Sequence, residues 1–146
     1  MLRKHQGLIC QISSKKFYTN CDCLTKSKLN ELEVKLGQMK PDIICLTEVL
    51  PKNKLLNYNQ DMYGLNGYRL IESVLVKRGI CLYAKFNIKH KVKEDMSEFN
   101  EYIICEFFGT NESFLLGVFY RSPNSPEEND SNMRNLLNEQ ERKLII

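Results

Sequence analysis

The segment Pro41–Leu50, "PDIICLTEVL", combines the features of a buried strand with a charged group at its end. Residues 43–46 form an uninterrupted apolar run of a length typical of a core strand. Glu48 follows two residues later, and a carboxylate is costly to bury without a partner. Two interpretations stay open from these residues alone. Glu48 turns to solvent, as charged side chains mostly do, or it serves chemistry at the edge of a sheet.

A strand–helix–strand unit is predicted around this segment. Residues 15–22, "KKFYTNCD", are rich in β-branched and aromatic side chains, which favours a strand. Residues 27–40 place apolar side chains at steps of three and four, the period of a helix with one buried stripe. We expect Ser27 to cap this helix and Pro41 to end it. The stripe consists of Leu29, Leu32, Leu36 and Met39.

Further segments predict a run of strands and then a second helix. Residues 68–76, 79–86, 101–108 and 113–121 are short and β-rich, and short polar connectors between them favour antiparallel hairpins. Several of these segments are apolar on both faces, so we expect them to be covered on both sides. The prediction is an α+β protein, a layered sandwich with helices outside.

A lysine-rich segment and the C-terminal segment complete the predicted order of elements. Residues 87–100 are interpreted as a connector rich in lysine, in which Lys89, Lys91 and Lys93 alternate. A solvated face and a contact with nucleic-acid phosphates both stay open for these lysines. Residues 131–143 predict a helix whose apolar face continues to Leu144.

Composition narrows the class of protein. The chain has 146 residues, which suggests one domain, and its net charge of +3 permits contact with nucleic acid without requiring it. No apolar run approaches the roughly 20 residues of a membrane span, and the first residues lack a signal-peptide pattern. Three of the six cysteines lie in apolar strand-like runs, so we expect a reduced, intracellular protein.

Polar residues recur at the ends of the predicted strands. Asn20 and Asp22 close the first strand, Glu48 closes the second, and Tyr120 and Arg121 close the last. Carboxylate and amide oxygens suit Mg²⁺, whereas a phenol and a guanidinium suit phosphate oxygens. If these ends gather at one edge, they favour metal-assisted phosphoester chemistry. Turn formation and ordinary sheet packing remain alternative roles for the same residues.

The order of these motifs resembles the N-terminal half of the endonuclease/exonuclease/phosphatase family. The chain is most similar to the endonuclease domains of non-LTR retrotransposons, which accompany a reverse transcriptase. The resemblance implies an α+β fold, an incomplete four-layer α/β sandwich of mostly antiparallel strands with flanking helices. It covers residues 15–146 as a truncated domain and leaves residues 1–14 as an N-terminal extension. The segments that carry it are "NCDCL", "PDIICLTEV", "GICLYAK", "EYIICEF" and "LLGVFYRSPNS".

The resemblance implies a role for individual residues at the strand ends. Glu48 matches the metal-binding carboxylate of the family, with Mg²⁺ as the cofactor, and Asp22 matches an acidic position found in some members. Asn20 matches the amide that organises the metal and phosphate. Tyr120 matches the tyrosine that supports the scissile phosphate. Asn20 and Tyr120 are therefore the expected catalytic residues, and Glu48 and Asp22 the expected metal ligands.

The resemblance also implies a partner. Nucleic acid, DNA in particular, is expected, with Arg121 and Asn124 contacting its backbone. No membrane and no small-molecule cofactor are expected.

Two later family motifs are absent from the sequence. Gly-Asp-x-Asn and Ser-Asp-His supply an Asp, an Asn and the pair that activates water, and neither occurs here. We therefore expect a fragment derived from a DNA-nicking phosphodiesterase that is inactive alone, since loss of general-base catalysis costs about 10²–10⁴-fold. A non-catalytic remnant, a half-domain that binds nucleic acid, and a phosphatase for small phosphoesters remain alternatives. We also expect a half sandwich to leave an apolar sheet face uncovered.

Overall fold

The computed structural model describes residues 15–52, 60–94, 99–109, 113–121, 126–140 and 144–145. These residues form two helices, eight strands and one 3₁₀ turn. In chain order, the elements are β1 (Lys16–Asn20), α1 (Lys26–Met39), β2 (Ile43–Thr47), the 3₁₀ turn (Gln60–Tyr63), β3 (Tyr68–Val74), β4 (Ile80–Lys85), β5 (Lys89–Val92), β6 (Tyr102–Phe108), β7 (Ser113–Phe119), α2 (Glu127–Gln140) and β8 (Leu144–Ile145).

The strands form two sheets of four strands each. The first sheet has the order β1-β2-β4-β3, and the second has the order β5-β6-β7-β8. β1 and β2 are parallel neighbours joined through α1, which confirms the predicted strand–helix–strand unit. The predicted hairpins are also present, because β3 pairs with β4 and β6 pairs with β7 in antiparallel fashion.

Four layers result from the packing of these elements. The inner faces of the two sheets pack on each other, with Cys45 and Leu82 of the first sheet in one cluster with Cys105 and Leu116 of the second. α1 covers the outer face of the first sheet through Leu32 and Leu36. α2 packs on the outer face of the second sheet through Leu136, which is buried with Phe99 and Ile104. The prediction that an apolar sheet face is left uncovered is therefore wrong for the described residues.

Helix α1 differs in detail from its prediction. The N-cap is Thr25 rather than Ser27, because the Thr25 hydroxyl accepts a hydrogen bond from the Lys28 N–H at 3.2 Å. The helix ends at a left-handed Lys40 before Pro41, as the proline predicted. Of the expected stripe, Leu32 and Leu36 are buried, whereas Met39 is exposed.

Two other predictions need correction. The lysine-rich connector contains β5, which pairs with β6 at the edge of the second sheet. Its lysines and polar neighbours resemble a loop in sequence because an edge strand has little to bury. The second helix begins at Glu127, before the predicted start, and Leu144 lies in β8 instead of on its apolar face. Neither described helix is long and apolar enough to cross a bilayer.

Candidate active site

The ends of β1 and β2 lie at the same edge of the first sheet. The strands are parallel, with Asn20 opposite Thr47. Backbone pairing continues beyond both strands, since the Cys21 N–H donates to the Thr47 carbonyl and the Cys23 N–H to the Glu48 carbonyl, each at 2.8 Å. The peptide that carries Asp22 is therefore held beside Glu48, as expected for neighbouring strand ends.

A hydrogen bond between Tyr120 and Glu48 joins the two sheets at this edge. The Tyr120 hydroxyl donates to Oε1 of Glu48, although the residues are 72 positions apart. The Tyr120 N–H donates to the Glu101 carbonyl at 3.0 Å, which fixes the chain where it leaves β7. The side chain of Glu48 is 13% exposed, so this carboxylate sits in a recess at the edge rather than in open solvent.

Arg78 is the third member of the site, and the sequence interpretation missed it. Its Nη2 lies 3.3 Å from Oε2 of Glu48 and 3.1 Å from Oδ1 of Asp22. Its Nε donates to the Leu50 carbonyl at 3.1 Å, and the Leu50 N–H donates back to the Arg78 carbonyl at 2.8 Å. One guanidinium therefore contacts two carboxylates while its own backbone is paired with the chain that follows Glu48.

The turn between β3 and β4 positions this arginine. Gly79 has a φ of +83°, and a Cβ at this position would lie 2.7 Å from Cγ2 of Val49 and 3.0 Å from Cγ of Leu50. Glycine is therefore required by both conformation and space. The basic pair Lys77–Arg78 directly before a glycine-led strand is the available sequence signal, although its composition is also that of an ordinary connector.

Backbone strain gathers at the same edge. Among the described residues, five non-glycine residues have a left-handed φ, and Lys40 is the one that caps α1. The other four border the site: Asp22 (φ 43°), Cys23 (φ 69°), Glu48 (φ 53°) and Lys77 (φ 52°). Such conformations cost on the order of 1–3 kcal/mol each and cluster at functional sites.

Asn20 lies at the solvent side of the site. Its Oδ1 accepts a hydrogen bond from the Asp22 N–H at 3.0 Å, which forms an Asx turn. Lys28 of α1 holds the same turn, since its Nζ donates to the carbonyls of Cys21 (3.0 Å) and Asp22 (2.8 Å). Asn20 is exposed, and because its amide oxygen is used within the turn, its NH₂ group is the end left for a ligand.

Burial and charge alter the acidity of two groups at the edge. Burial, followed by the hydrogen bond to Glu48 and its charge, raises the pKa of Tyr120 to about 12, although Arg78 opposes the shift. Tyr120 is therefore a neutral phenol that donates a hydrogen bond at physiological pH. The hydrogen bond from Arg78 is the main cause that lowers the pKa of Asp22, so its carboxylate stays ionised.

Glu101 is a second acid that sequence reasoning missed. Its side chain is 2% exposed, and Nζ of Lys77 lies 3.6 Å from its Oε2. Its charge also contributes to the raised pKa of Tyr120. The turn between β3 and β4 thus supplies one cation to the first sheet, through Arg78, and one to the second sheet, through Lys77.

Arg121, one of the two predicted nucleic-acid contacts, has its ion pair outside this cluster. The guanidinium of Arg121 pairs with the carboxylate of Asp130 in α2, through Nε to Oδ1 and through Nη2 to Oδ2 at 3.1 Å. Any backbone contact by Arg121 would have to compete with this pair, and its role stays a prediction. Asn124 lies outside the described residues.

The arrangement of the acids does not fit a divalent cation as it stands. Carboxylate oxygens of Glu48 and Asp22 are chemically suited to Mg²⁺. However, both carboxylates contact Arg78, and the other oxygen of Glu48 accepts from Tyr120. Within the described part of the chain, no group of three His, Cys, Asp or Glu side chains could hold a metal. The predicted ligands are close together, but a guanidinium lies on them.

Comparisons with known proteins identify the fold. No family model matches the sequence, and no curated protein matches it. The endonuclease domain of TRAS1, a telomere-specific non-LTR retrotransposon, superposes with a TM-score of 0.62 at 14% identity, over 87% of this chain and 54% of that one. The AP endonuclease LMAP from Leishmania major gives a TM-score of 0.62 at 15% identity, over 84% of this chain and 47% of that one.

Both neighbours have the endonuclease/exonuclease/phosphatase fold, and the chain therefore has this fold. It spans about half the length of the structures it matches. The predicted fold class, with mostly antiparallel sheets and flanking helices, is confirmed.

Proposed function

We propose that the chain carries one part of the active site of a nucleic-acid phosphodiesterase, of the DNA-nicking kind. The contact between Glu48 and Tyr120 is the observation that carries this proposal. It brings an acid and a phenol from the ends of two sheets to one strained, charged edge, an arrangement that favours a functional site. The likeness in fold to two endonucleases supports the same reaction class.

The chain's own groups suit the recognition of a phosphodiester. Tyr120 stays protonated because its pKa is about 12, so its hydroxyl can donate a hydrogen bond to a phosphate oxygen. The exposed NH₂ group of Asn20 is a second donor on the same edge. In this proposal, these two groups stabilise negative charge on the phosphate, and Glu48 sets the orientation of Tyr120.

Magnesium dependence belongs to the proposal through the oxygen ligands of Glu48 and Asp22. Because Arg78 lies on both carboxylates, no step of the reaction is assigned to a metal at this site.

The chain alone is expected to lack a general base. His90 lies on β5 opposite Phe107, at the other end of β6 from Glu101, and therefore far from Tyr120. The sequence contains no Ser-Asp-His motif to supply another histidine at the edge. Without a base, hydrolysis loses about 10²–10⁴-fold, which leaves little measurable turnover.

The nicking of supercoiled plasmid in the presence of Mg²⁺ tests this function. We expect the purified chain to nick no faster than its Glu48→Gln variant. Fusion to the complementary part of the TRAS1 endonuclease domain is expected to produce nicking, which Glu48→Gln lowers by about 10²-fold. Glu106→Gln serves as the matched control, because Glu106 pairs with Lys93 away from the site.

Two results would contradict the proposal. One is nicking by a folded fusion at the same rate with Glu48→Gln as without it. The other is nicking by the chain alone that depends on Glu48, which would contradict the expected inactivity.

A further inference from the structure

A cation already lies on the two acids to which magnesium would be assigned. We propose that Arg78 is the resident cation of Glu48 and Asp22, and that a divalent ion binds these carboxylates only by displacing the guanidinium. The inference rests on the proposed function for the identity of that ion as Mg²⁺. It makes Arg78 a positioning and regulating residue of the site.

The contacts of the guanidinium show that it is held in place. A single nitrogen, Nη2, is shared between Asp22 at 3.1 Å and Glu48 at 3.3 Å. Nε is bonded at the same time to the Leu50 carbonyl. Donors in such a planar fork lose little freedom per bond formed, so the arrangement is pre-organised.

The surrounding backbone also fixes the arginine. Leu50 and Arg78 are paired in both directions, by backbone to backbone and by side chain to backbone. Gly79 packs against Val49 and Leu50 too closely for any other residue. Arg78 therefore cannot be treated as a long surface side chain that has settled on the nearest acid.

The burial of Arg78 differs from what is expected of an arginine that binds phosphate. Its side chain is 12% exposed, whereas that of Lys77 in the same turn is 42% exposed. The fork points to Leu50 and the two acids, which leaves the outer side of the edge to Asp22, at 73% exposure. Arg78 neutralises the carboxylates from the protein side, and a ligand would approach from the solvent side, where Asp22 lies.

Electrostatic repulsion prevents the Arg78 guanidinium and a divalent ion from occupying the same two carboxylates together. Magnesium would be held by carboxylate oxygens of Glu48 and Asp22, and one oxygen of each already contacts Nη2. Two positive charges that share one pair of carboxylates repel each other. The guanidinium must move for the ion to enter, and its bonds to Leu50 oppose that movement.

Binding of Mn²⁺, a probe for Mg²⁺, tests the proposal without nucleic acid. The loss of the free Mn²⁺ signal in electron paramagnetic resonance gives the affinity. We expect Arg78→Gln to bind Mn²⁺ at least about tenfold more tightly than the wild-type chain. Lys77→Gln removes one charge from the same turn and is expected to leave the affinity unchanged. The double variant Arg78→Gln/Glu48→Gln should lose the gain.

Equal affinity of the wild-type chain and Arg78→Gln would overturn the proposal, and so would a gain that survives in the double variant. If Arg78→Gln does not fold, nuclear magnetic resonance of the wild-type chain replaces it. During a titration to Mg²⁺ concentrations that displace the guanidinium, the Arg78 Nε–H and the Glu48 carboxylate should shift together. A shift of Glu48 alone, or no shift of either group, would overturn the proposal. These measurements do not depend on nicking, so the proposed function can fail while the competition holds.

Discussion

The two ends of β2 carry different electrostatic arrangements. At its start, Asp42 has its own lysine, with Nζ of Lys85 at 2.9 Å. At its end, Glu48 shares the guanidinium of Arg78 with Asp22. The first arrangement balances charge locally, whereas the second leaves two carboxylates on one cation. A strand in a stable core can therefore end in an ordinary ion pair on one side and a charged functional edge on the other.

The backbone differs in the same way. Near the start of β2, Lys40 adopts a left-handed φ as the cap of α1, and Gly67 does so in a loop. Near the end, four non-glycine residues do so around a single recess. Strain and excess charge in one place are costly to stability, which indicates that the edge serves a purpose other than stability.

Substitution of the two left-handed glycines is expected to give the largest difference in stability between the two ends of β2. Gly79→Ala adds a Cβ against Val49 and Leu50 as well as conformational strain, so we expect a loss of about 3 kcal/mol in the free energy of unfolding. Gly67 has no atom within 4 Å of a built Cβ, and Gly67→Ala should cost about 1 kcal/mol. Urea unfolding measures both. Equal losses would show that the site end is no more crowded than the other.

Removal of the cation at each end gives the next largest effect. Arg78→Gln leaves the mostly buried Glu48 without its guanidinium, and we expect a loss of about 2 kcal/mol in the free energy of unfolding. Lys85→Gln breaks a partly exposed pair and should cost about 0.5 kcal/mol. Urea unfolding of the two variants tests the difference. A larger loss for Lys85→Gln would reverse the account of which end depends on its cation.

The smallest but most specific expected effect is a change in the pKa of Asp22 when Arg78 is replaced. Its pKa lies below the ordinary value, chiefly because Arg78 donates to it, and carboxyl titration by nuclear magnetic resonance should show its return in Arg78→Gln. Glu106, whose pKa is lowered by Lys93 and Ser113, should not change. Because the folded pKa of Asp22 is depressed, its stabilisation is present above the unfolded pKa and is lost as pH falls through the folded value. An unchanged pKa of Asp22 in Arg78→Gln would contradict the shared cation.

The sequence pattern is sufficient to predict the site residues that lie at the ends of strands. Asn20 and Glu48 follow strands joined through one helix, so parallel pairing brings their ends to the same edge. The apolar pattern of residues 113–121 predicts a core strand with Tyr120 near its end, and Tyr120 contacts Glu48 at that edge. Alternating and apolar patterns report burial, and burial fixes where strands begin and end.

The site residues that the sequence does not predict depend on how the connectors between strands pack against distant parts of the chain. Arg78 lies in a short polar connector, and a pattern of burial carries no information on which distant acid a turn will contact. Glu101 begins a segment predicted as a strand, and the pattern does not show that Lys77 contacts it. β5 was missed because its exposed Lys89 and Lys91 reproduce the composition of a loop. Ser27 is the better cap than Thr25 by residue type, and the helix start at Lys26 is what makes Thr25 the N-cap.

A double-mutant cycle between Glu48 and Tyr120 tests most directly that the two sheets form one site. Glu48→Gln, Tyr120→Phe and the double variant are compared by urea unfolding. We expect the effects to be non-additive, with a coupling of about 1 kcal/mol, because the residues share a hydrogen bond across 72 positions. Additive effects would contradict the account, since they would mean that the acid and the phenol do not interact in the folded chain.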